Sequence, residues 1–322
     1  MGSAAERAPD GSAAAVTREH VLAAASRIEG RVRRTPLLDV GRGIAGIHGR
    51  VLLKLEHLQH TGSFKPRGAF SKLLASHVPR AGVIAASGGN FGLAVAYAAR
   101  SIGHAAEIFV PSTSPSAKID RIRSEGATVT VVDGLYDDAA TASERRATES
   151  GALRLHPFDQ LEVVAGQGTI GIELAEQAPD VDTVLVAVGG GGLIAGIAAW
   201  YSGDVRVVGV EPEGSQCMHA ALEHGRPVDV EVRSVAADSL GAKRVGDVAF
   251  SVARRFVDEV VLVPDDAIHE AQRVLWRDAR IVAEPGGAVA FAALLTGAFA
   301  PSPGEPVAVV VCGANCDPAT VA

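Results

Sequence analysis

Short apolar runs of strand length recur along the chain, and the segments between them carry apolar residues at helical period. This alternation narrows the fold most, because a parallel strand buried on both faces reads as a continuous apolar run and its crossover to the next strand needs a helix. Strands are expected at residues 51–56, 82–87, 107–111, 129–133, 183–188, 205–211, 257–264 and 307–312. Helix starts are signalled by Asp265 ahead of Ile268, Val274 and Leu275, and by Ser114 and Ser116 ahead of Ile119 and Ile122. The class is α/β with mainly parallel sheets. No fixed-period repeat appears and no linker rich in Pro, Gly or Ser divides the chain, so a second domain would be an insertion.

A chain of 322 residues can bury the core of two ordinary domains without staples. Its net charge of −7, the absence of any Lys/Arg run and an aromatic share of 4% exclude a phosphate-tracking or base-stacking surface, so a small molecule rather than nucleic acid is the expected partner. Cys217, Cys312 and Cys316 are an odd number without metal-knuckle spacing, which points to a reducing, cytoplasmic compartment. Residues 1–16 contain Glu6, Pro9 and Asp10 and no apolar core, so they read as a tail, neither signal nor anchor. Residues 184–201 form an uncharged run long enough for a membrane span. Four consecutive glycines interrupt it, and its flanks are Asp182 and Asp204 rather than basic anchors, so it reads as buried soluble structure and no membrane partner is expected.

Four motifs can carry chemistry. In Thr61-Gly62-Ser63-Phe64-Lys65-Pro66-Arg67-Gly68, Pro66 suits the first position of a helix and makes Lys65 its cap. A half-buried lysine at the positive end of a helix is pushed toward the neutral amine that an imine-forming nucleophile needs; the bland alternative is a solvated turn lysine. Ser87-Gly88-Gly89-Asn90 ends a strand and opens an apolar helix, where converging donors suit a carboxylate or simply cap the helix. Gly189-Gly190-Gly191-Gly192-Leu193 joins a strand to a helix and lets backbone amides wrap a phosphate. The same loop fits a dinucleotide fingerprint, with Glu211 where a ribose-binding acid would stand, so a nicotinamide-dependent oxidoreductase is the rival reading in a different class. Finally, Cys312-Gly313-Ala314-Asn315 follows the last strand, where α/β sheets place ligands, although a lone buried cysteine is more often a small hydrophobe.

Taken in order, these motifs resemble the fold-type II pyridoxal-phosphate family, closest to the serine/threonine dehydratases, from about residue 17 to the C-terminus. Arg34-Thr35-Pro36-Leu37, Lys54-Leu55-Glu56, His156-Pro157-Phe158-Asp159, Ala165-Gly166-Gln167-Gly168-Thr169, Val210-Glu211-Pro212, Ala237-Asp238 and Glu284-Pro285-Gly286-Gly287-Ala288 stand in register with it. The resemblance implies two open α/β domains, the larger from residues 17–79 plus 158–322 and the smaller inserted at 80–157, with the cofactor in the cleft between them. It implies an imine between Lys65 and pyridoxal 5'-phosphate, and a phosphate held by Gly189, Gly190, Gly191, Gly192 and Leu193. Asn90 would face the ring hydroxyl, Cys312 the ring nitrogen, and Phe64 and Glu284 would lie beside the cofactor. Ser87, Gly88, Gly89, Asn90 and Phe91 would receive the substrate carboxylate. The implied reaction removes water and then ammonia from a small hydroxy amino acid such as L-threonine or L-serine, leaving a 2-keto acid, in a homodimer. A chain ending soon after Cys312 leaves no room for a feedback domain, so simple kinetics are expected.

Departures from the family pattern matter. Racemases of the family carry a serine where this chain has Gly88, which disfavours racemisation, although serine racemase or another β-eliminating lyase is the nearest alternative. Phe91 replaces the usual histidine, Ser239 the usual glycine, and Glu284 can equally be a helix-start cap beside Pro285. Relatives that bind a divalent cation use the counterpart of Glu211, a backbone oxygen near Ser215 and an acid where Cys217 stands; a thiol is a poor ligand for such hard ions.

Overall fold

The computed structural model describes residues 15–41, 44–47 and 49–321. Most of the expected tail, residues 1–14, lies outside them, but Val16 is buried at 1% exposure against the core, so ordered structure starts before residue 17.

Ten strands form two sheets: β1 (Leu37–Gly41), β2 (Arg50–Lys54), β3 (Val83–Ala86), β4 (Ala106–Pro111), β5 (Thr128–Val132), β6 (Leu153–Leu155), β7 (Thr183–Ala187), β8 (Arg206–Pro212), β9 (Glu259–Val263) and β10 (Pro306–Val310). The larger sheet has the order β1-β2-β10-β7-β8-β9 and the smaller β5-β4-β3-β6. Every pairing is parallel except that of β1 with β2. All eight expected strands are present, with ends shifted by one or two residues. Glu56 has already turned into a short 3-10 segment, and Val257 ends the preceding helix. The two strands that sequence reading omits, β1 and β6, are sheet edges; β1 is half exposed and β6 is three residues long, so neither writes an apolar run.

The centre of the larger sheet shows why its strands read so clearly. All five residues of β7 are buried, and Val307 and Val309 of β10 stand in register with Thr183 and Leu185 on one side and with Val51 and Leu53 on the other. Helices Gly192–Tyr201 and Pro285–Thr296 are apolar almost all round and are correspondingly buried, as expected of helices packed on more than one side. The apolar run at 184–201 is thus a strand, a glycine turn and a buried helix, and among the described residues no helix is long and apolar enough to cross a membrane.

Each sheet reverses its strand order once. In the larger sheet β8 and β9 follow β7 to one side while β10 returns to the other; in the smaller, β4 and β5 lie to one side of β3 and β6 to the other. Ligands of open α/β sheets bind beyond the carboxyl ends of strands at such reversals. Here the segments concerned are Gly189–Gly192 and Cys312–Asn315 after β7 and β10, and Ser87–Asn90 and His156–Phe158 after β3 and β6.

Candidate active site

Lys65 takes the cap position of helix Pro66–Ala75 with Pro66 at the first turn, as the sequence predicts. The preceding residues are stitched to the end of β10: Ser63 bridges to Gly313, and the Phe64 amide donates to the Cys312 carbonyl at 3.1 Å. The lysine therefore lies against the last strand although almost the whole chain separates them. Its Nζ donates to the Pro157 carbonyl at 3.2 Å and sits 4.9 Å and 5.7 Å from the ring centres of Phe64 and Phe91. Burial pushes this amine down to about 8, with Cys312 and Glu284 opposing the shift only in part. Among the described residues no carboxylate forms an ion pair with it. A lysine held this way is a nucleophile near neutral pH rather than a fixed cation.

The glycine loop admits no side chains. A Cβ on Gly190 would stand 2.3 Å from the Phe158 ring, and Gly191 has φ of +87°, in the left-handed region that glycine adopts freely. Leu193 follows in the first turn of the helix, so the free amides of Gly191, Gly192 and Leu193 point out of a positive helix end, an arrangement suited to a phosphate.

Asn90 opens helix Asn90–Ser101 and is clamped at both ends of its amide. Its Nδ2 donates to Glu284 Oε1 at 2.5 Å, and its Oδ1 accepts from Asn315 Nδ2 at 2.7 Å. Glu284 occupies the cap position of helix Pro285–Thr296, but its carboxylate makes no capping hydrogen bond and turns to Asn90 instead. Burial pushes its carboxyl up, while Asn90 and Lys118 pull it back. Cys312 is buried, its thiol donates to the Gly286 carbonyl at 3.4 Å, and burial raises its pKa to about 12, so it is a neutral group.

Ser87 directly follows β3, and its hydroxyl accepts from the Gly89 amide at 3.2 Å. Phe91 is 2% exposed and belongs to the core beneath the smaller sheet, while its ring centre lies 5.7 Å from Lys65 Nζ. At Gly88 a Cβ would fall 1.9 Å from Ser114 Oγ, so a side chain there would require Ser114 to move.

Two features escape sequence reading. One is the set of groups that fasten the predicted residues: the Pro157 carbonyl, the Phe158 ring and Asn315. The motif runs containing them are visible in the sequence, but not their partners. The other is a buried ionic network behind Lys65. Arg67 reaches Glu56 at 2.8 Å and Glu173 at 2.7 Å, and Lys54 reaches Glu173 at 2.5 Å. Charged residues inside apolar stretches were its only signal.

Glu211 does not do what the dinucleotide reading requires. Its two oxygens accept from the Met218 and His219 amides at 2.9 Å and 2.8 Å, and it is fully buried, so it does not face a ribose. Burial raises its carboxyl to about 8. The Ser215 hydroxyl donates to the Leu240 carbonyl at 2.8 Å, and among the described residues no three His, Cys, Asp or Glu side chains form a metal-binding group.

A half-buried, uncompensated lysine amine, a glycine-lined helix end shaped for a phosphate and a neutral thiol at a strand end fit pyridoxal phosphate. They define a fold-type II cofactor site. The chain belongs to the pyridoxal-phosphate dependent enzymes, whose family profile matches residues 28–313. It is 40% identical over 309 residues to the L-threonine ammonia-lyase of Thermotoga maritima, covering 94% of this chain and 76% of that one. Among solved structures, a threonine deaminase from T.th. superposes with a TM-score of 0.87 at 38% identity, covering 94% of this chain and 99% of that one. Maize serine racemase superposes with a TM-score of 0.89 at 30% identity, covering 96% of each chain.

Proposed function

We propose that this chain removes the β-hydroxyl and then ammonia from a small β-hydroxy amino acid such as L-threonine or L-serine, releasing a 2-keto acid. The observation that carries this reading is Lys65, a lysine whose amine is pushed to about 8 beside the end of β10 with no carboxylate to fix its charge. The relatives named as threonine ammonia-lyase and threonine deaminase support the same reaction class.

Pyridoxal phosphate, when bound, spreads the negative charge left at the substrate α-carbon into its ring. In our reading Lys65 carries the cofactor and, once released, takes the α-proton on Nζ, which its lowered pKa allows near neutral pH. Gly189, Gly190, Gly191, Gly192 and Leu193 hold the phosphate with backbone amides. Asn90, fixed by Glu284 and Asn315, faces the ring hydroxyl, and Phe64 flanks the ring. Cys312, a neutral thiol, would face the ring nitrogen and, lacking a carboxylate's charge, would not hold a proton there. Ser87 and the amides of Gly88, Gly89, Asn90 and Phe91 receive the substrate carboxylate at the positive end of their helix. Residues 80–157, which contain all of β3 to β6, act as the smaller domain of a cytoplasmic homodimer.

Lys65→Ala is expected to abolish both the visible absorption band of the loaded protein and keto-acid formation from serine and threonine. A parent protein that stays colourless after reconstitution with the cofactor sinks the reading. The similarity to maize serine racemase favours racemisation as a second reading, but Gly88 supplies no second-face hydroxyl. Chirality of serine recovered from turnover separates the two.

A further inference from the structure

The cation site that the family resemblance implies near Glu211 does not fit this chain. Hard divalent ions take six or more oxygens, usually from several carboxylates. Here a single carboxylate is present, each of its oxygens already accepts one amide, from Met218 and His219, and a thiol stands beside it where a second acid would be needed. What that thiol does is visible in its contacts. Cys217 is the first residue of helix Cys217–His224, is 1% exposed, and directs Sγ to the Gly189 carbonyl at 3.2 Å. No backbone amide among the described residues donates to that carbonyl.

The same turn grips the glycine loop a second time. Ser215 donates to the carbonyl of Leu240, and the Leu240 backbone lies against Gly189, where a Cβ would come within 3.0 Å of Leu240 Cα. Glu211, by accepting two amides at the start of the helix, fixes the turn from which both contacts are made. A cysteine thiol is protonated at neutral pH and has one S–H to donate, and the Gly189 carbonyl is the acceptor its Sγ reaches.

We propose that Cys217 is a positioning residue: its S–H, donated to the Gly189 carbonyl, braces the phosphate-binding loop and makes that loop independent of any divalent cation. The inference rests on the reading that the glycine loop holds the cofactor phosphate, and not on the reaction that follows.

Titration of the cofactor-free protein with pyridoxal phosphate, followed by absorbance and by thermal midpoint, tests it. The parent is expected to show the same affinity and the same midpoint in EDTA as in magnesium or calcium. Cys217→Ala, which leaves the Gly189 carbonyl without a donor, is expected to bind the cofactor about five-fold more weakly, and Cys217→Ser, which keeps a donor, to lose less. A parent whose cofactor affinity falls in EDTA and recovers with magnesium overturns the proposal. So does a folded Cys217→Ala protein with unchanged affinity. If that variant does not fold, the Ser variant and the EDTA comparison still decide. A parent that binds the cofactor tightly yet yields no keto acid defeats the assigned reaction and leaves this inference standing.

Discussion

The Asn90 amide nitrogen lies 2.5 Å from Glu284 Oε1, joining the opening residue of a helix behind the smaller sheet to the cap of a helix behind the larger one. Asn315 holds the other end of the same amide. The clamp therefore ties both sheets together at the point where the ring hydroxyl of the cofactor is assigned. Asn90→Ala strips partners from the Glu284 carboxylate and the Asn315 amide at once. Each keeps one partner, the Asn315 backbone amide for Glu284 and the Thr61 carbonyl for the Asn315 side chain, so the loss should be about 1 kcal/mol, read as unfolding at lower urea together with weaker cofactor binding by the purified protein.

Arg67 stands two residues beyond Lys65 and is fully buried between Glu56 and Glu173. Arg67→Met would leave the two carboxylates with only Lys54 to offset them. Breaking a buried pair from one side typically destabilises by about 3–5 kcal/mol, and urea unfolding of the cofactor-free variant should show a loss of that order. A loss below about 1 kcal/mol would mean that the network is solvated.

Cofactor capture by the free protein should depend on pH through Lys65. Only the neutral amine attacks the aldehyde, and its folded pKa is lowered from 10.5 to about 8. Stopped-flow absorbance should show the capture rate rising about ten-fold per unit below that value and levelling above it. The linked stability effect has the matching sign. Between about 8 and 10.5 the unfolded chain binds a proton here that the folded chain does not, so this group favours the folded state increasingly as pH rises through that window.

Gly190→Ala would drive a methyl to 2.3 Å from the Phe158 ring. Overpacking of this kind costs about 1–3 kcal/mol, and because it distorts the loop itself the loss should fall chiefly on cofactor affinity. Phe158→Leu in the same chain, by clearing the ring, should restore part of the binding in the absorbance titration.

The parts of the molecule that sequence reading captured are those governed by local chemistry. Central strands such as β7 and β10 are buried on both faces and must be apolar throughout, and Pro66 can start a helix but not continue one. Edge strands β1 and β6 bury little and left no pattern. The dinucleotide reading of Glu211 failed for a related reason: an acid at a strand end has the same spelling whether it meets a ribose or the amides of the next helix.

Taken alone, the order of residues determined the α/β class, the lysine beside a helix start, the glycine turn and the family to which they belong, since each depends on neighbours within a few positions. Only the folded chain decided that Phe64 meets Cys312, that Asn90 meets Glu284 and that Cys217 meets Gly189. Those contacts join segments brought together by sheet order, and the desolvation that turns Lys65 into a nucleophile exists only after they have closed around it.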